Sequence, residues 1–237
     1  MELLENIILL ILGLFFRGSG FYMQELQHEV KVVKYEFVQV IEEKPLYDMV
    51  KRFFDVMLSL IVCIFAIPIV IITCIFVVLE TEGSPIYCQN RLGKDGKEFI
   101  LYKIRSMGVN AEKISGPKWA DSNDKRVTKV GKFIRKTRID ELPQLINILK
   151  GDMSIVGPRP ERPIFTEKFN EEIPAFKDRL KVVPGLTGLA QINGGYDITP
   201  KNKLQWDLKY IKKRGLWLDL KIIFKTALIV VSGHGAR

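Results

Sequence analysis

A chain of 237 residues has room for one sizeable core, or for one globular domain plus a membrane element. Its apolar share of 47% and net charge of +9, from 36 Lys+Arg against 27 Asp+Glu, require apolar and basic residues to be segregated along the chain, which suits an anionic membrane surface and phosphorylated substrates. Nucleic acid is excluded as a partner because Lys and Arg are dispersed and the aromatics do not alternate with them as stacking platforms.

Cys63, Cys74 and Cys88 form no CxxC pair, and no clustered histidines complete a zinc site, so a reducing cytoplasmic setting follows. His28 and His234 stand far from every other motif, which argues against Ser-His or Cys-His catalysis.

The uncharged run from Asn6 to Phe16 is shorter than the roughly 20 residues a membrane helix needs. Glu2 and Glu5 occupy the region a secretory leader makes basic. Leu26, Val30, Val33, Phe37 and Val40 recur at helical spacing, although Val30, Val32 and Tyr35, Phe37 also alternate as a strand would. Residues 1–46 are therefore set apart as an accessory segment.

From Val56 to Leu79 the chain carries 24 residues without a charge, which predicts a membrane helix within residues 47–80. Pro68, preceded by Ile67, removes a backbone hydrogen bond near its middle. Lys51 and Arg52 flank the start of the run, and Arg91, Lys94, Lys97, Lys103 and Arg105 follow its end, so both flanks favour the cytoplasmic side. A hairpin broken at Pro68 satisfies both flanks; a straight crossing is the alternative. Cys63 and Cys74, eleven residues apart, share one face of the helix as small packing groups.

Residues 81–237 form the expected catalytic domain. Its first stretch, SPIYCQNRLGKDGKEFILYKIRSM, reads as a β-hairpin reversing at Gly93, Lys94, Asp95 and Gly96; the spacing of a phosphate-binding Walker loop is absent. Short helices then alternate with the Pro- and Gly-rich loops MSIVGPRPERP and KVVPGLTGLAQINGG, of the kind that presents backbone to ligands. Leu204, Leu208, Ile211 and Leu218 fall at helical spacing, with Trp206, Tyr210 and Trp217 nearby and Lys209, Lys212, Lys213 and Arg214 interleaved. That pattern fits an interfacial amphipathic helix, or equally a helix packed on the protein's own core.

The densest chemistry lies in KFIRKTRIDELPQLINILKGDMSIVGPRPE, which gathers Arg135, Arg138, Asp140, Glu141 and Arg159. Leu142, Leu145, Ile146 and Leu149 have helical spacing and Pro143 is tolerated only in a first turn, so Asp140 is expected at or near a helix N-terminus. One reading makes Asp140 an N-cap and Glu141 a first-turn acid. The other takes the neighbouring guanidinium groups into account: a helix start ringed by arginines suits a diphosphate, and two carboxylates beside it can hold Mg2+. One carboxylate could also attack phosphorus.

These residues resemble the signature of the bacterial sugar transferase family, the monotopic phosphoglycosyl transferases that start surface-polysaccharide and glycoconjugate assembly. The resemblance runs from about Lys51 to the C-terminus and is carried by KRFFD, YKIRSM, DELPQLINILKGDMSIVGPRPE, PGLTGLAQINGG and the closing GAR. It implies a mainly helical α/β fold: a monotopic membrane protein with a re-entrant, Pro-broken helix, interfacial amphipathic helices and a small hairpin-containing catalytic domain on the cytoplasmic face of the bacterial inner membrane.

The resemblance further implies that Asp140 attacks the β-phosphate of a UDP-sugar, releases UMP and carries the sugar-1-phosphate covalently to undecaprenyl phosphate. By the same pattern Glu141, with Asp140, holds Mg2+. Arg135 and Arg159 match phosphate contacts, and Lys103 and Arg105 match a YKFRSM motif that here has Ile104 in place of Phe. Arg138 and, in the segment from Gly185 to Asp197, Gln191 with Asn193 are further candidates for substrate contact. Lys51, Arg52 and Asp55 are expected at lipid headgroups, orienting the helix, or as a plain positive flank. Ile67 stands where family members commonly have Ser, and it cannot recapture a carbonyl freed by Pro68. Membrane lipids are expected partners, and an oligomer is compatible with the sequence. Two rival functions use the same features: a non-catalytic membrane scaffold, and a membrane-attached phosphatase or nucleotidyl transferase built on the acidic pair.

Overall fold

The computed structural model describes residues 42–109, 111, 116, 124–173, 175–194 and 198–232. The expectations for residues 1–41 and for the closing GAR lie outside the described residues. The rest is mainly helical, with two small two-stranded sheets.

Helix α1, Pro45–Glu80, opens with Pro45, whose fixed φ suits a first turn, and has Asp48 facing the helix dipole. Its 36 residues would extend about 54 Å at 1.5 Å per residue, far more than the roughly 30 Å of hydrocarbon in a bilayer. It is long and apolar enough to cross a membrane. Pro68 lies inside it and interrupts the backbone ladder without ending the helix. Most of its large apolar side chains are exposed: Ile64 and Phe65 are both 69% accessible. Such a continuous apolar face is not stable in water alone.

The opposite face of α1 packs on the remainder of the chain along its whole length. Ala66 is buried with Leu101, Leu145, Ile148 and Met153, and Val62 and Cys63 pack against that cluster. Farther along, Val77 joins Ile104 and Ile134, with Val70 beside them. Polar ties hold both ends. Near the start, Lys51 pairs with Asp219 at 2.8 Å, Arg52 donates to the carbonyls of Ile148 and Leu149 at 2.5 and 2.8 Å, and Asp55 accepts from the Ile155 N–H at 3.0 Å. At the end, Glu80 accepts from the N–H groups of Lys129 and Val130 at 2.7 and 3.0 Å, and Arg105 donates to the Thr81 and Glu82 carbonyls at 2.7 and 2.6 Å. Lys51, Arg52 and Asp55, expected at lipid headgroups, are thus engaged within the protein.

Strands β1 (Ile86–Leu92) and β2 (Glu98–Ile104) form the expected antiparallel hairpin, turning through Lys94–Gly96 with Asp95 and Gly96 in the left-handed region. Helix α2 (Lys129–Lys136) starts at Thr128, which caps the Gly131 N–H, and ends before Arg138, at φ 60. A single 3-10 turn, Ile139–Glu141, separates it from α3 (Gln144–Lys150), which closes on the left-handed Gly151. The helix expected from Asp140 therefore begins four residues later, at Gln144, and neither acid caps it.

The two Pro- and Gly-rich segments are not simply loops. Ser154–Val156 forms β3 and Gly185–Thr187 forms β4, paired in parallel. Their approach is so close that a Cβ on Gly185 would fall 2.0 Å from the Gly157 nitrogen, which is why small residues stand there. Helix α4 (Pro163–Glu172) lies between the two strands in sequence, and α5 (Leu189–Gly194) follows β4, so much of the supposed loop from Gly185 to Asp197 is strand and helix. The amphipathic stretch around Leu204 to Leu218 divides into α6 (Pro200–Lys213) and α7 (Leu216–Ser232). Leu204, Tyr210 and Ile211 are buried, so α6 packs on the protein's own core. Helix α7 buries Ile222 and leaves Trp217, Leu220, Phe224 and Leu228 exposed on one face.

Candidate active site

The site is assembled around β2 by one polar side chain in an apolar helix. Asn147 of α3 is fully buried; its Nδ2 donates to the Ile100 carbonyl at 2.7 Å and its Oδ1 accepts from the Tyr102 N–H at 3.2 Å. In doing so it satisfies backbone groups on the edge of β2, which would be costly to bury unpaired. The contact fixes the register of α3, and of the turn before it, against β2. Lys103, the next residue of β2, then reaches the acidic pair.

Asp140 and Glu141 are both buried, at 7% exposure, yet their surroundings differ. Glu141 Oε1 accepts from Lys103 Nζ at 3.1 Å and from Arg159 Nη2, and Oε2 accepts from Arg159 Nη1 at 3.3 Å. Asp140 accepts no hydrogen bond among the described residues; its ion-pair contact is Lys103 Nζ at 3.9 Å. Burial pushes the Asp140 carboxyl above the usual Asp range, with Lys103 opposing and the Glu141 charge adding to the rise. Burial acts on Glu141 in the same direction, but Arg159 and Lys103 outweigh it and hold that carboxyl well below the usual range. Burial also lowers the Lys103 ammonium, despite support from Glu141. Two adjacent acids are thus driven apart: one anion held at hydrogen-bond distance by two cations, and one poorly solvated carboxyl whose ion-pair partner stands 3.9 Å away.

Arg159 is held by a buried charge network that has no local signature in sequence. Arg179 Nη2 donates to the Arg159 carbonyl at 2.7 Å and pairs with Asp207 at 2.7 Å, both side chains being almost wholly inaccessible. Arg91 donates to the Pro160 carbonyl at 3.0 Å and faces Glu161 at 3.6 Å, and Glu161 also pairs with Lys203. Burial lowers the Arg91 guanidinium to about 10, with Glu161 opposing. The backbone of residues 159–161 is therefore clamped by Arg179, from the 3-10 stretch Phe176–Lys181, and by β1. Asp207 and Lys203 of α6 brace Arg179 and Glu161, and the Arg159 side chain projects from a fixed base. Its Nη1 also lies 3.4 Å from the Leu186 carbonyl.

The remaining candidates spread around this centre. Arg135 donates from Nε to Ser106 Oγ at 2.8 Å, and its charge, like those of Lys103 and Arg159, acts to lower Asp140. Arg138 acts in the same sense on Glu141. Gln191 lies one step away, donating to the Leu186 carbonyl that Arg159 also approaches, with its own Oε1 buried and unpaired. Arg105 is occupied by the chain beyond α1 and touches neither acid among its hydrogen bonds.

The profile of the bacterial sugar transferases matches residues 46–233, which takes in α1 from its second residue, the hairpin, the acidic turn and every residue of the clamp. The chain belongs to the bacterial sugar transferase family. It is 44% identical over 196 residues to the UDP-N-acetylgalactosamine-undecaprenyl-phosphate N-acetylgalactosaminephosphotransferase of Aeromonas hydrophila, covering 81% of this chain and 46% of that protein. It is 37% identical over 239 residues to the undecaprenyl-phosphate galactose phosphotransferase of Salmonella typhimurium, covering 93% of this chain and 49% of that protein. With the UDP-glucose:undecaprenyl-phosphate glucose-1-phosphate transferase of Escherichia coli it shares 40% identity over 195 residues, 77% of this chain and 42% of that protein. The sugar transferase chain thus spans about half the length of these relatives, or less.

Adjacent carboxylates fit Mg2+ as ligands when substrate phosphates supply further oxygens. In this sugar transferase the Asp140 oxygens are open to such a role, whereas those of Glu141 are engaged by Lys103 and Arg159, the cations a diphosphate would itself recruit. No cluster of three or more His, Cys, Asp or Glu occurs among the described residues; Asp140 and Glu141 would hold the ion together with substrate oxygens. Sequence reasoning missed Asn147, Arg179, Asp207, Glu161 and Lys203. Asn147 did leave a trace, as the polar residue interrupting LINIL; the others are separated by 28 or 42 residues from their partners.

Proposed function

We propose that this chain transfers a sugar-1-phosphate from a UDP-sugar to undecaprenyl phosphate and releases UMP, with Asp140 as the nucleophile. The observation that carries the assignment is the division between the acids: Glu141 is neutralised by Lys103 and Arg159, while Asp140 is buried and accepts no hydrogen bond among the described residues. A desolvated carboxylate with a raised pKa is the more basic and more nucleophilic of the two. Its oxygen attacks the β-phosphorus, an Asp–O–P bond forms, and the bond from that phosphorus to the oxygen bridging to UMP breaks. Undecaprenyl phosphate then attacks the same phosphorus, forming the lipid diphosphate and freeing Asp140.

Lys103, Arg159, Arg135 and Arg138 bring positive charge to a site where two diphosphate oxyanions and two acids must coexist. On this reading the incoming phosphates would take over Lys103 and Arg159, leaving the Glu141 carboxylate available, with Asp140, to hold a metal ion. Mg2+ held by Asp140 and Glu141 would neutralise charge on the diphosphate.

The chain works at the cytoplasmic face of the inner membrane, with α1 entering and returning rather than crossing. Support comes from its attachments: Arg52 and Asp55 at one end and Glu80 at the other bind the same compact unit, and a straight crossing would set one of them beyond about 30 Å of hydrocarbon. Cysteines at Glu42 and Ser84, in a background lacking the native three, should then label from one side only; opposite-side labelling overturns the return.

Asp140→Asn in detergent with Mg2+, UDP-sugar and undecaprenyl phosphate should abolish UMP release, and the unmodified chain should release one equivalent of UMP before acceptor is added. Unchanged turnover by Asp140→Asn refutes the nucleophile. Free phosphate without lipid-linked sugar would identify a phosphatase, and full biological activity with both acids replaced by alanine would identify a scaffold.

A further inference from the structure

Outside the acidic site, one cavity carries an unexplained charge pattern. A groove of about 260 Å3 lies among α5, α6 and α7, lined by the apolar Leu189, Ile192 and Leu218 and by Lys209, Lys213, Lys221 and Lys225. All four lysines are exposed, and none forms an ion pair among the described residues, which leaves four like charges converging on one concavity. Lys209 Nζ sits 4.7 Å from the centre of the Trp206 ring. Like charges repel, so four ammonium groups around one concavity suit an anionic ligand.

The surroundings say where that anion comes from. On α7, Lys221 and Lys225 follow Leu220 and Phe224 by one position each, flanking the face from which Trp217, Leu220, Phe224 and Leu228 project into the surroundings. Apolar side chains bordered by lysines one turn apart are the pattern of a helix lying in a bilayer interface, where the ammonium groups extend to headgroup level. The apolar lining of the groove would lie beside the first carbons of an acyl chain, which a free anion would leave bare.

We infer that the α5–α6–α7 groove binds the phosphate headgroup of an anionic membrane phospholipid, held by Lys209, Lys213, Lys221 and Lys225. The inference rests on the membrane seating of the chain and not on its transfer chemistry. It gives the catalytic unit a second, charge-selective attachment besides α1. The attachment also bears on α5, which lines the groove through Ile192 and Asn193 and carries Gln191 on the way to Leu186 and Arg159.

The test uses the full chain in neutral detergent, with tryptophan fluorescence reporting on Trp206 while dihexanoyl phosphatidylglycerol or dihexanoyl phosphatidylcholine is added below its micelle concentration. Saturable binding at least tenfold tighter for the glycerol headgroup is expected. Lys221→Gln should weaken it about fivefold, and Lys221→Gln with Lys225→Gln by twentyfold or more, whereas the double Arg variant should retain it. Equal binding of the two lipids by the unmodified chain overturns the inference whatever the variants do, and so does undiminished binding by the folded double Gln variant. Inorganic phosphate binding as tightly as phosphatidylglycerol would make this a soluble-anion site, and displacement by equimolar farnesyl phosphate would assign the groove to the acceptor; either result also overturns it. Sedimentation with phosphatidylcholine vesicles checks membrane seating separately, since that reading fails only if the chain stays in solution.

Discussion

Glu141→Gln and Asp140→Asn are the same chemical change at neighbouring positions, and the structure predicts opposite effects on stability. Glu141 is buried against Lys103 and both arms of Arg159. Removing one partner of a buried ion pair costs about 3–5 kcal/mol; the amide oxygen keeps one contact as a neutral hydrogen bond worth about 1 kcal/mol. The expected loss is therefore about 3 kcal/mol, or roughly 6–12 °C in midpoint for a chain of this size. Asp140 works the other way, because its folded pKa lies above the ordinary value and its ionised form opposes folding at neutral pH. Asp140→Asn removes that opposition and should leave the midpoint unchanged or raised. Thermal unfolding in one detergent at pH 7 measures both. The wild-type advantage over Glu141→Gln should be complete above the unfolded Glu value of about 4.3 and fade as pH falls toward the depressed folded value. Equal drops for the two variants, or a Glu141→Gln chain as stable as the wild type, would refute the division of roles.

Three further outcomes follow from the same geometry. Because turnover needs ionised Asp140, the acidic limb of kcat/KM should lie above the ordinary Asp value of about 3.9, and Lys103→Gln should move it higher by removing the charge that opposes the rise; a limb that stays in place contradicts this. Asn147→Leu strands the Ile100 carbonyl and the Tyr102 N–H, and should cost about 2–3 kcal/mol in urea unfolding and lower kcat more than it changes the KM for UDP-sugar. Arg105→Gln should lower the melting midpoint while leaving that KM within about twofold, since its guanidinium serves Thr81 and Glu82; a large rise in KM would return Arg105 to the phosphate-binding set.

The elements legible in the sequence were those with a local cause. An uncharged run gave α1, and a Gly-flanked reversal between alternating segments gave the hairpin. Asp140, Glu141 and Arg159 were conspicuous because they crowd into twenty residues. The start of α3 was misplaced because the left-handed Arg138 and a 3-10 turn intervene, and neither leaves a pattern. Strands β3 and β4 are three residues each and pair across a whole helix, so no periodicity reveals them. For α6, spacing could not separate a membrane face from a core face, since both bury the same side chains; only tertiary packing decided. The Arg179–Asp207 and Glu161–Lys203 pairs are long-range and were invisible for the same reason.

Lys103 and Arg105 stand two residues apart at the end of β2, one reaching Glu141 and the other gripping the chain just beyond α1. The hairpin therefore behaves as a depth gauge. If α1 sits in a bilayer as proposed, the level imposed on the helix is transmitted over two residues to the acids, and the proposed lipid acceptor would have to meet them at that height. Adding one turn to the apolar run would shift the gauge by about 5.4 Å, and on the proposed function that lengthens the helix while moving the acids away from the lipid acceptor.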